Sequence, residues 1–394
     1  MNDYLSIEPV DSLHLRGNKL FSDGHGTSVM PPWPSLFAGA LRSRILVDNA
    51  VGIEEFKIGL AKNHRVSKVL GRSPQEPGTF QIWQTGFCHN DDILLPLPAD
   101  LVAFSPEDGS SSVELRRLEP IALDHLGEQV KGSFKLPFVA RLPIAERRKP
   151  LAEVWIDYST LLEHLKGNGL DKHSCKQASE LWTRNVRVGI GLDSNTRSVK
   201  ESLLYTTDSI SLKPGVSFFN AVRGSDELLP KTGLLRLGGD GKGARIKSLT
   251  AGNMPGELPW NFTPETKGFR MVLASPGIFP NGWLPPGVER TDGSTHQFKY
   301  SGLVAELKAA IVPRAGTISG WDLAKQRPKT AHRVVPRGAV YWFETISGDQ
   351  GVLQDLAKNG LSPLLLEKAP EQSSTWLQRK AEGFNNVWFG NWNV

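Results

Sequence analysis

Cysteine is almost missing from this chain: its 394 residues hold only Cys88 and Cys175. The two stand far apart with no CxxC partner, which argues against a disulfide framework, a zinc knuckle or an iron–sulfur site. No apolar run reaches the roughly eighteen residues of a membrane span. The opening MNDYLSIEPV lacks the basic and apolar segments of a secretory signal, so the expectation is a cytoplasmic protein without membrane contact. Enzyme motifs are lacking too. There is no GxxxxGK[ST] and no GxGxxG between a strand and a long helix, which removes the Walker and dinucleotide readings. No HExxH or HxxxH pair and no GxSxG elbow occurs, so zinc hydrolysis and serine-based nucleophilic catalysis have no visible support.

What is present is a modest positive excess. The net charge is +5 and the pI about 9.1, which suits a polyanion partner but is also common on solvated surfaces. Its placement is more telling. The stretch 308–337 carries seven basic side chains (Lys308, Arg314, Lys325, Arg327, Lys329, Arg333 and Arg337) against one acid, Asp322. Its Gly, Pro and Ser content makes much of it loop, where cations reach a phosphate backbone without being committed to a core.

Length and 39% apolar content imply two domains. Leu5 and Ile7 alternate with Ser6 and Glu8, which predicts a half-buried strand. In MPPWPSLFAGALRSRIL, Pro34 and a capping Ser35 predict a helix start, with Phe37, Leu41 and Ile45 on one face. From about 48 to 195 the pattern breaks into short pieces, with helical spacing only around Leu161, Leu162 and Leu165, and reads as an insertion. SLLYTTDSISLKPGVSFFNAV then reads as a hairpin turning at Pro214 and Gly215. SDELLP reads as one helical turn, and TGLLRLGGDGKGARIKSL as a strand broken by glycines.

After a Gly- and Pro-rich boundary at 251–260 the order repeats. FRMVLASP reads as a strand and PGIFPNGWLPPGV as a crossing. The run 303–311 alternates like a strand, although ELKAA also has helix propensity. AVYWFETI reads as a strand covered on both faces, GVLQDLAKNG as a helix stopped by Gly360 with Lys358 in its last turn, and FNNVWFGNWN as the closing strand. The expected class is α+β: two ferredoxin-like (RRM-like) domains in tandem, 1–252 with its insertion at about 48–195, and 253–394.

The string LGGDGKGAR at 237–245 offers four glycines whose N–H groups suit a phosphate, with Lys242 and Arg245 supplying charge. A plain glycine turn or bulge explains it equally well. CHNDD around His89 reads as an exposed turn. His14 and His25 flank the loop after the first strand, where a ribonuclease of this fold would place an acid or base. Of eleven tryptophans, Trp33 between prolines and Trp321 in the basic stretch are the candidates for exposed base-stacking platforms. An RNP-type aromatic signature is absent from both expected sheets.

Seven strings in order resemble the RAMP-type subunit-three family of the Cmr complex in type III-B CRISPR effectors. They are IEPVDSLHLRG, MPPWPSLFAGALRS, VGIGLDSNTRSVKESLLYT, LGGDGKGA, GWLPP, ISGWDLAKQRPK and PRGAVYWFE. They span most of the chain, with 48–185 poorly matched. The resemblance implies a non-catalytic, RNA-binding subunit at the foot of the complex, holding the 5′ handle of the guide RNA (crRNA). Implied protein partners are the large polymerase-palm subunit and the first copy of the backbone RAMP subunit.

Carried onto this sequence, the family's glycine-rich element matches Gly238, Gly239, Gly241 and Gly243, with Lys242 and Arg245 alongside. Further candidate RNA contacts are Trp33 and Arg42 at the first helix, and Arg314, Trp321, Arg327 and Lys329 in the basic stretch. No catalytic residue, cofactor or metal is expected. In the family's C-terminal glycine loop, here GFNNVWFG at 383–390, Asn385 replaces the second glycine, and Asn tolerates the left-handed conformation that the turn requires. Two rivals remain: a guide-processing endoribonuclease using His14 or His25, and a structural adaptor that touches no RNA.

Overall fold

The computed structural model describes residues 2–15, 25–26, 28–62, 64–106, 113–126, 136–144, 147–170, 174–250, 266–291 and 295–393. The chain forms two compact units, each assembled from three stretches. Met1–Asp91, Ser179–Thr250 and Thr317–His332 make one; Asp92–Ala178, Ala251–Gly316 and Arg333–Val394 make the other. The expected boundary at 251–260 lies outside the described residues.

In the first unit Asn2–Pro9 is the central strand of an antiparallel sheet. Val216–Arg223 and then Gln81–His89 lie on one side of it, Gly243–Ser248 and then Thr232–Arg236 on the other. Leu5 and Ile7 are buried and Glu8 is exposed, as their alternation requires. The helix Pro34–Asp48 buries Phe37, Leu41 and Ile45, with Phe37 5.2 Å from Phe218 of the sheet. Its start differs from expectation. Trp33 is the N-cap, no side chain caps the helix, and Ser35 already lies inside it, since Pro34 supplies the φ that a first helical position needs.

Three other expectations are corrected in this unit. Gln81–His89, read as part of the insertion, is a core strand with eight of its nine residues buried. The run 202–222 is not a hairpin: Val199–Leu212 pairs with Trp182–Leu192, while Val216–Arg223 joins the main sheet. SDELLP is a tight turn rather than a helical one, with Asp226 and Glu227 at φ 50 and 59 and the Leu228 N–H donating to the Ser225 carbonyl.

In the second unit a six-stranded sheet runs in the order Val288–Arg290, His296–Tyr300, Leu303–Ile311, Val340–Ser347, Gly268–Leu273, Val387–Trp392. The run 303–311 is a strand. Leu303, Ala305, Leu307 and Ala309 are buried in the core, and period-two burial outweighs the helix propensity of ELKAA. On its other face the Lys308 amine sits 2.7 Å from Glu306 and 2.9 Å from Glu344 of the neighbouring strand. Val340–Phe343 are buried throughout, and the helix Leu353–Asn359 ends at Gly360, at φ 66, with Lys358 in its last turn. The helix Tyr158–Lys166 is capped by Asp157, which accepts from the Thr160 N–H, and closes on left-handed Gly167.

This unit also encloses an ionic network. Asp100 and His164 are fully buried and Arg270 is nearly so. Arg270 donates to Asp100 at 2.6 Å and to the backbone carbonyls of His164 at 2.5 Å and Asn391 at 3.1 Å. Arg117 Nε donates to His164 Nδ1 at 3.3 Å, so the imidazole proton belongs on Nε2, which donates to Asp100 at 2.9 Å. Burial opposes ionisation of Asp100, yet His164 and Arg270 hold its carboxyl well below the usual range. Burial drives the His164 imidazole down to about 4, with Arg270 and Arg117 adding to the effect against Asp100.

The unfolded chain takes up this proton first. The stabilisation is therefore complete above about 6.5 and is lost as pH falls toward about 4, by up to roughly 3 kcal/mol. Urea unfolding at pH 7.5 and pH 5 measures the loss, and His164→Gln is expected to flatten it.

Candidate nucleic-acid interface

The glycine-rich string forms a turn between two sheet strands, Thr232–Arg236 and Gly243–Ser248. It rests on the segment that follows the first strand. The Gly239 N–H donates to the His14 carbonyl at 2.9 Å, and the Val10 N–H donates to the Gly243 carbonyl at 3.0 Å. Gly238 has φ 79, and a Cβ there would lie 3.0 Å from the His14 carbonyl oxygen. Gly241, at φ 62, faces open space. Gly238→Ala is therefore expected to lower the unfolding midpoint and guide affinity more than Gly241→Ala, whose cost is only the roughly 1–2 kcal/mol of a left-handed non-glycine residue. Parallel denaturation and binding curves compare them.

The turn presents its cations outward. Lys242 pairs with Asp11 at 3.0 Å, and Arg245 stands 4.0 Å from Glu8, its registered neighbour on the first strand. Both contacts are solvent-facing and thus weak, so a phosphate competes readily for either cation. The Ser12 backbone N–H and then Lys242 hold the Asp11 carboxyl below its usual value, and Arg187 adds to this. Of the turn's amides, Gly239 and Lys242 donate within the protein, Lys242 to the Gly239 carbonyl at 3.4 Å. Cationic side chains are therefore the turn's better-supported means of meeting a phosphate.

Two features escaped the sequence reading. Arg236, exposed opposite Gly243, and Lys247, exposed two residues beyond Arg245, extend the basic face. The signal was there in ARIKS, where Ala244 and Ile246 are buried and the two cations alternate outward. The second feature is the arm made by Trp182–Leu192 and Val199–Leu212, which exposes Val186, Val188, Ile190 and Leu204. Asp208 fastens its base, accepting from Arg184 at 3.0 Å and from the Ser28 N–H. The Asp208 carbonyl also lies 3.3 Å from His14 Nδ1, so His14 links the arm's base to the glycine turn.

The other candidates divide. Trp33 is half-buried, with its indole N–H enclosed, and Arg42 is half-buried with a guanidinium N–H reaching the Leu70 carbonyl at 3.4 Å. Neither is the free platform or cation expected. The basic stretch is split: Trp321, Arg327 and Lys329 belong to the first unit, and Lys308, Arg314, Arg333 and Arg337 to the second. Arg314 and Arg327 are exposed, Lys329 and Arg337 are half-buried, and burial pushes the Arg337 guanidinium down to about 10.

The side chain of His25 lies outside the described residues. The loop at 383–390 is buried. Asn385 takes φ 65 and accepts from the Ile278 N–H at 2.6 Å, while a Cβ on Gly390 would lie 2.7 Å from the Leu165 carbonyl. Its special positions are thus explained by folding. Among the described residues no group of three or more His, Cys, Asp or Glu is placed to hold a metal, and no helix is long and apolar enough to cross a membrane.

The fold and this surface define an α+β protein on antiparallel sheets, with a basic face around a pinned glycine turn. The chain belongs to the CRISPR-associated protein family Cas_Cmr3, whose family model matches residues 5–392. It is therefore a subunit of a type III-B CRISPR effector.

Among solved structures, a chain of the type III-B Cmr-beta complex bound to cognate target RNA and AMPPnP is 14% identical, with TM-score 0.49 over 98% of this chain and 95% of that one. A chain of the Cmr-beta complex bound to cognate target RNA is 14% identical, with TM-score 0.47 over 98% and 96%. A chain of the Csm3–Csm4 subcomplex of the type III-A interference complex is 12% identical, with TM-score 0.32 over 88% and 94%. No curated protein matches the chain.

Proposed function

We propose that this subunit holds the 5′ handle of the guide RNA at the foot of the effector and does so without cleaving it. The observation that carries this reading is the basic face of the first unit. Lys242, Arg245, Arg236 and Lys247 project from adjoining strands and a turn whose geometry is pinned by His14. Phosphate contacts of this kind supply affinity and fix position. Handle specificity comes from splayed bases.

The tandem ferredoxin-like reading is supported by strand order. Numbered by place in the chain, the four core strands of each unit lie in the order 2-3-1-4. The first unit uses 81–89, 216–223, 2–9 and 243–248; the second uses 303–311, 340–347, 268–273 and 387–392. Family membership supports the large polymerase-palm subunit and the first backbone RAMP subunit as protein partners.

The test is a swap. Guide RNA with its own 5′ segment is expected to outcompete the same RNA with that segment replaced, and to stay intact during incubation without metal. Equal binding overturns the handle assignment, and cleavage lost in His14→Ala overturns the non-catalytic one.

A further inference from the structure

We infer that the small hairpin at 321–328 is a stacking finger for one unpaired RNA base, with Trp321 as its platform; this rests on the RNA-holding reading above. Trp321–Asp322 pairs antiparallel with Arg327–Pro328, Trp321 opposite Pro328 and Asp322 opposite Arg327. The turn between them is fixed from inside. Asp322 Oδ1 accepts from the Lys325 N–H at 3.1 Å, Gln326 takes φ 49, and Ala324 is buried beneath. The root is closed as well: the Lys329 N–H donates to the Gly320 carbonyl at 2.8 Å, and Ser319 Oγ donates to the Lys329 carbonyl at 2.7 Å.

On this rigid base Trp321 is 57% exposed, as is Leu323. An indole is the largest apolar side chain available, and leaving more than half of it in water forgoes burial that an occupant restores. A preformed hairpin loses little entropy on binding.

Charge selects the occupant. The hairpin carries Lys325 and Arg327, with Lys329 just beyond its second strand, and its one carboxylate, Asp322, is turned back onto its own backbone. A polyanion with flat, unpaired bases fits both features, because bases stack on the ring while Arg327 meets the adjoining phosphate. Duplex RNA keeps its bases stacked on each other and offers only phosphates.

The experiment uses the full chain and a short mixed-sequence RNA, either single-stranded or annealed to its complement. Trp321→Ala is expected to weaken single-strand binding about 5- to 100-fold with the salt slope unchanged, and to leave duplex binding as it was. Trp321→Phe is expected to recover most of the loss. Arg327→Ala is expected to lower the single-strand salt slope by about 0.7.

Wild-type single-strand affinity in Trp321→Ala overturns the inference. So does loss of another subunit from the reconstituted effector with RNA affinity unchanged, which makes the hairpin a protein-docking element. A wild-type chain that binds neither RNA overturns the RNA-holding reading itself, and this inference with it.

Discussion

The Lys242→Ala/Arg245→Ala double variant will release guide RNA from the reconstituted effector, with affinity lowered about 10- to 100-fold at moderate salt. Two charge-assisted phosphate contacts account for a loss of that size. The slope of log affinity against log salt should fall by about 1.4, since each phosphate neutralised on a single strand contributes about 0.7. The first strand sharpens the test. Asp11 and Glu8 are the present partners of these cations, so removing the cations also leaves two carboxylates facing the RNA. Asp11→Asn acts in the opposite direction, freeing Lys242 and raising affinity a few-fold. Retention curves over a salt series measure both variants, and a double variant that retains guide like the wild type removes the glycine turn from the interface.

Replacing Arg270 with methionine will destabilise the protein by about 3–5 kcal/mol, the usual cost of stranding a buried charge. Asp100 has no exposure and takes its strongest contact from Arg270 at 2.6 Å. The same guanidinium serves the carbonyls of His164 and Asn391, so its loss also removes a donor from each of these backbone acceptors. Asp100→Leu alone should cost a similar amount by orphaning Arg270. The double variant should recover part of the loss, because an apolar pair of similar volume carries no charge to desolvate. Urea unfolding of the four proteins forms the cycle. A double variant no more stable than the weaker single would show that the carbonyl contacts, rather than the ion pair, dominate.

Much of the second unit is legible in the sequence because its burial is periodic. Leu303 to Ala309 alternate inward, Val340 to Phe343 are continuously apolar, and Gly360 stops its helix. The strand Gln81–His89 was hidden because its buried residues include Gln81, Gln84 and Thr85, which erase the apolar signature of a core strand. The arm 182–212, read as the end of the insertion and the start of a hairpin, was illegible for the converse reason. Apolar residues at alternating positions look half-buried, yet Val186, Val188 and Ile190 face solvent.

The buried ionic network has no local trace at all, since Asp100 meets His164 across 64 residues and Arg270 across 170. Within the candidate interface, the glycines and their two cations were legible as a string. Their pinning by His14, and the cross-strand addition of Arg236, follow from register alone. Asn385 was readable in conformation, as left-handed, but its burial and its bond to the Ile278 N–H belong to tertiary structure.

Position-specific photocrosslinking tests the central claim most directly. A photoreactive uridine is placed at each guide position in turn within the assembled effector, and the crosslinked peptides are identified. The account predicts that handle positions crosslink to this subunit, at peptides containing 236–247. Crosslinks to this subunit only from the 3′ portion of the guide, or none from any position, would contradict it.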